Sequence, residues 1–489
     1  MGKRYRLAVL IILVLALGAC DMTTMPDGDT GTNGDAGTSG DTGSDDGTDP
    51  GGGTSDPVYN DWTWIAGNDV GFQQGGTYGT QGTTDAANTP GSRESFAYAV
   101  DSNDNLWVFG GDGHDSSDAR GYLNDLWRFD GTNWTWVSGS DTRYAAATYG
   151  TKGVAAPGNV PGARQATAGW IDDADDFWIF GGYGDDSADN EGVLNDLWRF
   201  DGTNWTWMSG SDTHSAAGTY GTKGVPDAGN VPGARTQAMS WTDTAGNFWL
   251  FGGSGSDGSG SLGSLNDLWK FDGTNWTWVA GSDESNMVGT YGTQGTANEA
   301  NSPGGRVLAG TWSDDDGNLW LFGGLGYDAS GSVGSLNDLW KFDGTSWTWI
   351  AGSSSSGTSG GTYGTKGVAD AANKPGERYG AVGWADSAGD VWVFGGEGYD
   401  AAADLTLLND LWRFDGTNWT WVSGDSSGDP MGSYGTLGTP GDDTAPGGRT
   451  EAAVVRRADG SVLVFGGSGF DSVSAIVPTL LNDVWRYRP

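Results

Sequence analysis

The chain has 489 residues and a formal charge of −39, from 63 acidic and 24 basic side chains. With no basic cluster after the first six residues, the folded part should repel nucleic acid and anionic lipid, and neither is expected as its partner. A single cysteine allows no intramolecular disulfide, so stability has to come from packing.

At the N-terminus, Lys3, Arg4 and Arg6 precede an apolar run over residues 7–17. That run is short for a permanent membrane helix and has the pattern of an export signal. Its end, Leu17, Gly18, Ala19 and Cys20, resembles the lipobox of bacterial lipoproteins. The resemblance implies removal of residues 1–19 as a signal peptide and lipidation of Cys20, giving a membrane lipid anchor. Ordinary secretion with small residues at the cleavage site is the competing reading. An outer-membrane or cell-surface location is expected, although Asp21 resembles an inner-membrane retention signal. Residues 20–57 then form a tether. Residues 21–55 contain eight Asp and no Lys or Arg, too little apolar area to offset chain ordering. As a flexible coil such a segment reaches about 30 Å.

From residue 58 onward the chain repeats itself. "LNDLWRFDGTNWTW" occupies residues 123–136 and returns at 194–207. The Asn of L-N-D recurs at Asn124, Asn195, Asn266, Asn337, Asn409 and Asn482, at intervals of 71, 71, 71, 72 and 73 residues. Each unit holds four strand-like runs, in the second unit "GARQATAGWID", "DFWIFGG", "LNDLWRFD" and "NWTWMSG". Trp and Phe alternate with smaller or polar residues, as strands require. Links such as "DDAD" and "GTN" predict tight hairpins. Four antiparallel strands repeated six times predict a closed radial array rather than an open sheet with bare edges. The first "WTW", at 62–64, has no preceding L-N-D, and the terminal "LNDVWRYRP" has no following "WTW". The last blade is therefore expected to borrow its outer strand from the N-terminus.

The combination of P-G-x-R, F-G-G, L-N-D-[LV]-W and W-T-W resembles the kelch repeat, in the form related to the central domain of galactose oxidase, over residues 58–489. The resemblance implies an all-β, six-bladed kelch-type β-propeller closed by an N-terminal outer strand in the last blade.

All 27 Trp fall in repeat register, which marks them as blade-to-blade core rather than sugar-stacking platforms. The short 1–2 and 3–4 turns share one face. The long 2–3 and 4–1 connections share the other, where binding is expected. Each 4–1 loop carries a Tyr (Tyr78, Tyr149, Tyr220, Tyr291, Tyr363 and Tyr434), read as a packed insertion over the blade edge in preference to a ligand contact. Arg93, Arg164, Arg235, Arg306, Arg378 and Arg449 begin the innermost strands and are expected around the channel mouth on the long-loop face. Two readings stand for them. They bind a carboxylate-bearing ligand through forked hydrogen bonds, or they fix loops and blades through backbone carbonyls and Asp side chains. The following residue varies, as Glu94, Gln165, Thr236, Val307, Tyr379 and Thr450, and would make a central pocket asymmetric.

Copper radical chemistry of the galactose oxidase kind uses His, Tyr and a Tyr–Cys crosslink. Here Cys20 lies outside the repeats, and His114 and His214 sit in different connections, so that centre is excluded and a His-based zinc site is disfavoured. Cys nucleophile, serine elbow, P-loop and dinucleotide fingerprint are all missing. No cofactor is required by any motif. Structural calcium on loop carboxylates stays open, although no loop has the EF-hand arrangement. Kelch propellers of this size include sugar-epimerising enzymes as well as protein-binding modules. The expected function is noncatalytic recognition of an extracellular protein or glycan at the cell envelope. A carboxylate-based carbohydrate-processing enzyme and a structural envelope protein are the alternatives. Mass spectrometry of the mature N-terminus should find a lipidated Cys20, and Cys20→Ser should release the protein from membranes or block its maturation. An unmodified N-terminus elsewhere would refute the anchor.

Overall fold

The computed structural model describes residues 61–71, 74–441, 443–473 and 477–489. The signal segment, Cys20 and the tether lie outside the described residues, all of whose regular elements are strands. The alternation of large apolar with small or polar side chains is realised as antiparallel pairing. In the second unit Ala168–Ile171, Phe177–Asp185, Glu191–Phe200 and Trp205–Ser209 lie side by side. Their cross-strand pairs include Trp178↔Trp170, Ile179↔Trp198 and Trp198↔Trp207. Such aromatic pairs are the unit of sheet stabilisation.

Equivalent four-stranded arrangements recur through the chain, giving an all-β fold of antiparallel sheets in a propeller-like repeat. Their innermost strands neighbour one another in chain order, and Ala453–Arg456 of the last neighbours Ala97–Val100 of the first. The sixth sheet takes its outer strand from Asp61–Ala66, in register Trp62↔Tyr487 and Trp64↔Trp485. The hydrophobic cores lie between sheets. Trp170, Trp178 and Leu197 of the second, for example, pack against Phe248, Leu250 and Trp269 of the third. Val455, Leu463 and Phe465 of the sixth pack in the same way against Val108, Trp127 and Trp134 of the first.

The long 4–1 connections are packed, as their repeated Tyr suggests. Each crosses the outer strand of the sheet it enters: Gly153 N–H donates to Trp207 O, and Asn159 Nδ2 to Trp205 O. The loop entering the sixth sheet treats the N-terminal strand alike, with Gly438 N–H donating to Trp64 O at 2.8 Å. These loops occupy edge groups that would otherwise be left unpaired.

Beneath each loop sits one repeated polar cluster. Arg235 donates through both terminal nitrogens to Asp267 at 2.7 Å, through Nη1 to Gly252 O and through Nε to Gly233 O. The same carboxylate accepts from Tyr220 Oη and Trp269 Nε1, each at 2.6 Å. Arg93–Asp125, Arg164–Asp196, Arg306–Asp338, Arg378–Asp410 and Arg449–Asp483 repeat the pairing. The six arginines are at most 1% exposed, so they do not ring an open channel mouth as the first reading expected. The guanidinium folds back under the strand and finds its Asp, two carbonyls and no solvent. Replacing Asp267 by Ala strands a buried charge and should destabilise the protein by about 3–5 kcal/mol in denaturant unfolding. The paired change Arg235→Met with Asp267→Leu should cost much less. Equal losses in both variants would show that packing, not the lone charge, sets the effect.

Candidate functional site at the long-loop face

Because the cluster, the F-G-G turns and the Trp pairs repeat, residues that break the repeat stand out. In the full-length hairpins the second and third strands continue past F-G-G: Leu106–His114 pairs with Arg120–Phe129, and Phe177–Asp185 with Glu191–Phe200. Much of the expected variable 2–3 loop is therefore strand, and only the tip, such as residues 115–119, is turn. A register shift at the two glycines, between Phe109 and Gly111 in the first sheet, carries the pairing onward. Three variable positions then lie side by side on each sheet. In the first they are Glu94, Asp112 and Tyr122, and in the second Gln165, Tyr183 and Val193. The third carries Thr236, Ser254 and Ser264, and the fourth Val307, Leu325 and Ser335. The fifth has Tyr379, Glu397 and Leu407, and the sixth Thr450, Ser468 and Leu480. The face is thus acidic and aromatic on one side, and small or apolar on the other.

The acidic side is concentrated where the chain's ends meet. Arg120 donates to Glu94 and to Asp112, each at 2.8 Å. Burial first, then the Glu451 carboxylate, push the Glu94 carboxyl up to about 8 against the opposing pull of Arg120. Glu451 is raised as well, by burial and by the charges of Glu397 and Asp112, although Ser95 Oγ donates to it. Carboxylates from the first, fifth and sixth sheets thus raise one another here.

Glu451 belongs to a backbone collar. Ser95, Ala166, Gln237, Leu308, Gly380 and Glu451 all have φ between 52° and 63°. Around the collar Ala166 N–H donates to Ser95 O, Gln237 N–H to Ala166 O, Gly380 N–H to Leu308 O and Glu451 N–H to Gly380 O, at 2.6–3.0 Å. Non-glycine residues in this conformation are costly and cluster at functional sites. Gly380 has a second reason to be glycine, since a Cβ there would lie 2.0 Å from Thr450 Oγ1. Below the collar a cavity of about 710 Å³ runs along the innermost strands to Val100, Thr242, Ser313 and Arg456. There Arg456 pairs with Asp315 at 2.9 Å, joining the sixth unit to the fourth. Ser95 and Glu451 line this cavity and also adjoin the carboxylates above it.

Of the residues singled out in the sequence, Glu94, Gln165 and Tyr379 lie on the variable face, and the arginines lie beneath it. Asp112, Arg120, Glu397 and Glu451 were missed. Their signal was present as columns that change while neighbouring columns repeat. The loop aspartates expected as calcium candidates are taken up by backbone amides: Asp328 accepts from the N–H of Ser330, Ser332 and Ser356. Burial alone would raise its carboxyl, but these bonds outweigh it and hold the carboxyl at about 2. His114 pairs with Asp118, whereas His214 bonds Ser215 in another unit. Among the described residues no three His, Cys, Asp or Glu converge as a metal site, and this donor set argues against a copper-dependent oxidase.

Residues 77–209, which contain the first two sheets, match the model of the KLHDC2/KLHL20/DRC7 Kelch-repeats domain. No curated protein matches the chain. Among solved structures it is similar to that of YjhT, with TM-score 0.47 and 15% identity over 81% of this chain and 95% of the other. A fungal alcohol oxidase of the AA5 family, in complex with copper, gives TM-score 0.40 and 14% identity over 81% and 62%. A Dyadobacter fermentans protein of unknown function gives TM-score 0.42 and 9% identity over 88% and 100%.

The raised Glu94 carboxyl fixes a pH dependence. Between its ordinary value of 4.5 and about 8, the folded state keeps a proton that the unfolded chain has released, so stability falls as pH rises through that window. Thermal unfolding should show a decline in midpoint across it, and Glu94→Gln should flatten the decline. An unchanged slope in the variant would place the titration elsewhere.

Proposed function

We propose that this protein is an exported, carboxylate-based carbohydrate-processing enzyme built on a six-bladed kelch-type propeller. The Glu94–Glu451 pair carries the reading. Burial raises both carboxyls, Glu94 to about 8, which keeps an acid beside a second carboxyl near neutral pH, as a general acid set beside a general base requires. The surrounding charge selects the substrate. Asp112 and Glu397 repel anions, whereas a neutral hydroxyl-rich ligand can hydrogen-bond carboxyl groups and Arg120 together. The propeller reading is supported by the pairing of Asp61–Ala66 with Val484–Arg488 and by the cyclic order of innermost strands. Export and anchoring rest on the signal-like segment and Cys20.

Noncatalytic recognition of a glycan by the same face is the second reading. It is favoured by the carboxylates being engaged already, Glu94 by Arg120 and Glu451 by Ser95. Incubation of the whole protein with neutral oligosaccharides, followed by NMR of the sugar signals, separates the two. Turnover should fall by roughly 10²–10⁴-fold in Glu94→Gln or Glu451→Gln. Turnover unaffected by both substitutions would sink the Glu94–Glu451 assignment, and saturable binding without turnover would sink the enzyme reading and leave recognition.

A further inference from the structure

Beside the carboxylates, three tyrosines from unrelated repeat positions converge. Tyr122 comes from the third strand of the first sheet, Tyr183 from the second strand of the second, and Tyr144 from the connection between them. Tyr122 stands edge-on to both others, with ring centroids 5.6 Å from Tyr144 and 6.0 Å from Tyr183. Tyr144 is 53% exposed. The hydroxyls of the three donate no hydrogen bond to a described residue, and Asp112 is the cross-strand partner of Tyr122.

The repeat shows what ordinarily occupies these places. Tyr144 N–H donates to Tyr122 O, as Ser215 N–H does to Val193 O, Asn286 N–H to Ser264 O and Asp429 N–H to Leu407 O. All four donors have φ between 55° and 63°, a conformation suited to Asn and Asp and costly for a bulky Tyr. Gly121 accommodates the ring, since a Cβ there would lie 2.7 Å from it. Arg143 lies over the Tyr144 ring at 5.5 Å and donates to Arg120 O, tying the platform to the charged group. A strained, half-exposed aromatic therefore stands where the scaffold needs only a small polar residue.

We infer that Tyr122, Tyr144 and Tyr183 form a stacking subsite for one neutral hexopyranose unit of a glycan, whose hydroxyls reach Asp112 and Arg120. The apolar C–H face of a sugar ring matches an aromatic surface, and its hydroxyls match the carboxylate and guanidinium beside it. This assignment rests on the carbohydrate reading and deepens it by placing the sugar at the junction of the first two sheets. It also predicts rejection of uronic acids, because Asp112 and Glu191 set negative charge beside Tyr122.

The test uses the whole protein with tetrasaccharides of glucose, mannose, galactose and N-acetylglucosamine, and with tetragalacturonate, by calorimetry and saturation-transfer NMR. Tyr144→Asn introduces the residue the third unit uses at the same φ, so folding should be kept, as circular dichroism will check. A neutral tetrasaccharide should bind, with ring protons saturated, and Tyr144→Asn should weaken it about tenfold while Tyr144→Trp retains it. Tetragalacturonate should not bind. Unchanged affinity in Tyr144→Asn and in Tyr183→Ala would overturn the subsite while the Glu94 and Glu451 variants still test the enzyme reading. Failure of every neutral saccharide to bind would overturn the subsite and the carbohydrate reading together.

Discussion

Everything in the fold is hung on a buried ion pair that is made six times. A lone guanidinium in this interior would be prohibitively unfavourable, and so would a lone carboxylate. Together they satisfy the first glycine carbonyl of F-G-G, the P-G-x-R carbonyl, the loop Tyr and the third-strand Trp. One Asp thus fixes the innermost strand, the second strand, the third strand and the entering loop against each other. Any change in one of them leaves a charge or a dipole without its partner. The neighbouring Asn adds the link between sheets, as in Asn195, which donates to Pro232 O and accepts from Ser211 N–H. Asn482 does the same for the ends of the chain, donating to Pro90 O and accepting from Asn68 N–H.

A scaffold held this way tolerates variation only above the cluster. The side chains there point away from the ion pair and owe it nothing sterically, so Glu, Gln, Thr, Val, Tyr and Thr occupy one column without disturbing the strands. The consequence is a symmetric framework with an asymmetric face. Charge gathers over the fifth, sixth and first sheets, hydroxyls over the third, and aliphatic groups over the fourth. The collar beneath restricts passage toward the cavity to whatever fits among backbone amides and five unlike side chains.

The repeat period, four strands per unit and unmatched terminal segments are legible in the sequence because β-structure writes a period of two and the duplication writes a period near 71. The direction of the arginines is less visible, since a residue at a strand start can face either way. Yet the constant spacing from Arg93 to Asp125, and from Arg164 to Asp196, is itself a signal that two opposite charges travel together. The carboxylate pair is beyond any local motif, because Glu94 and Glu451 come from opposite ends of the chain. Counting Trp to find a sugar platform also misdirects, since in this chain Trp is scaffold. Aromatic residues that do break the repeat include Tyr122, Tyr144, Tyr183 and Tyr379. The apparent 2–3 loops hid Tyr122 and Tyr183, because polar and glycine-rich stretches read as turns although their backbones continue the ladder.

The strand Asp61–Ala66 has one further consequence, for how the chain finds its own register. It emerges early in synthesis bearing the same W-T-W that completes every sheet, and six third strands could receive it. In five of them a three-residue link such as "GTN" delivers a local W-T-W almost at once, and closing so short a loop is far quicker than recruiting a distant segment. Val484–Arg488 is paired instead with the early strand itself, Trp62 opposite Tyr487 and Trp64 opposite Trp485. The early strand therefore reaches its correct partner by exhaustion of the alternatives, without a recognition sequence of its own. The same logic applies between molecules: at high concentration during folding, the vacant edge of one chain is indistinguishable from that of another, and exchanged strands would link copies into swapped oligomers.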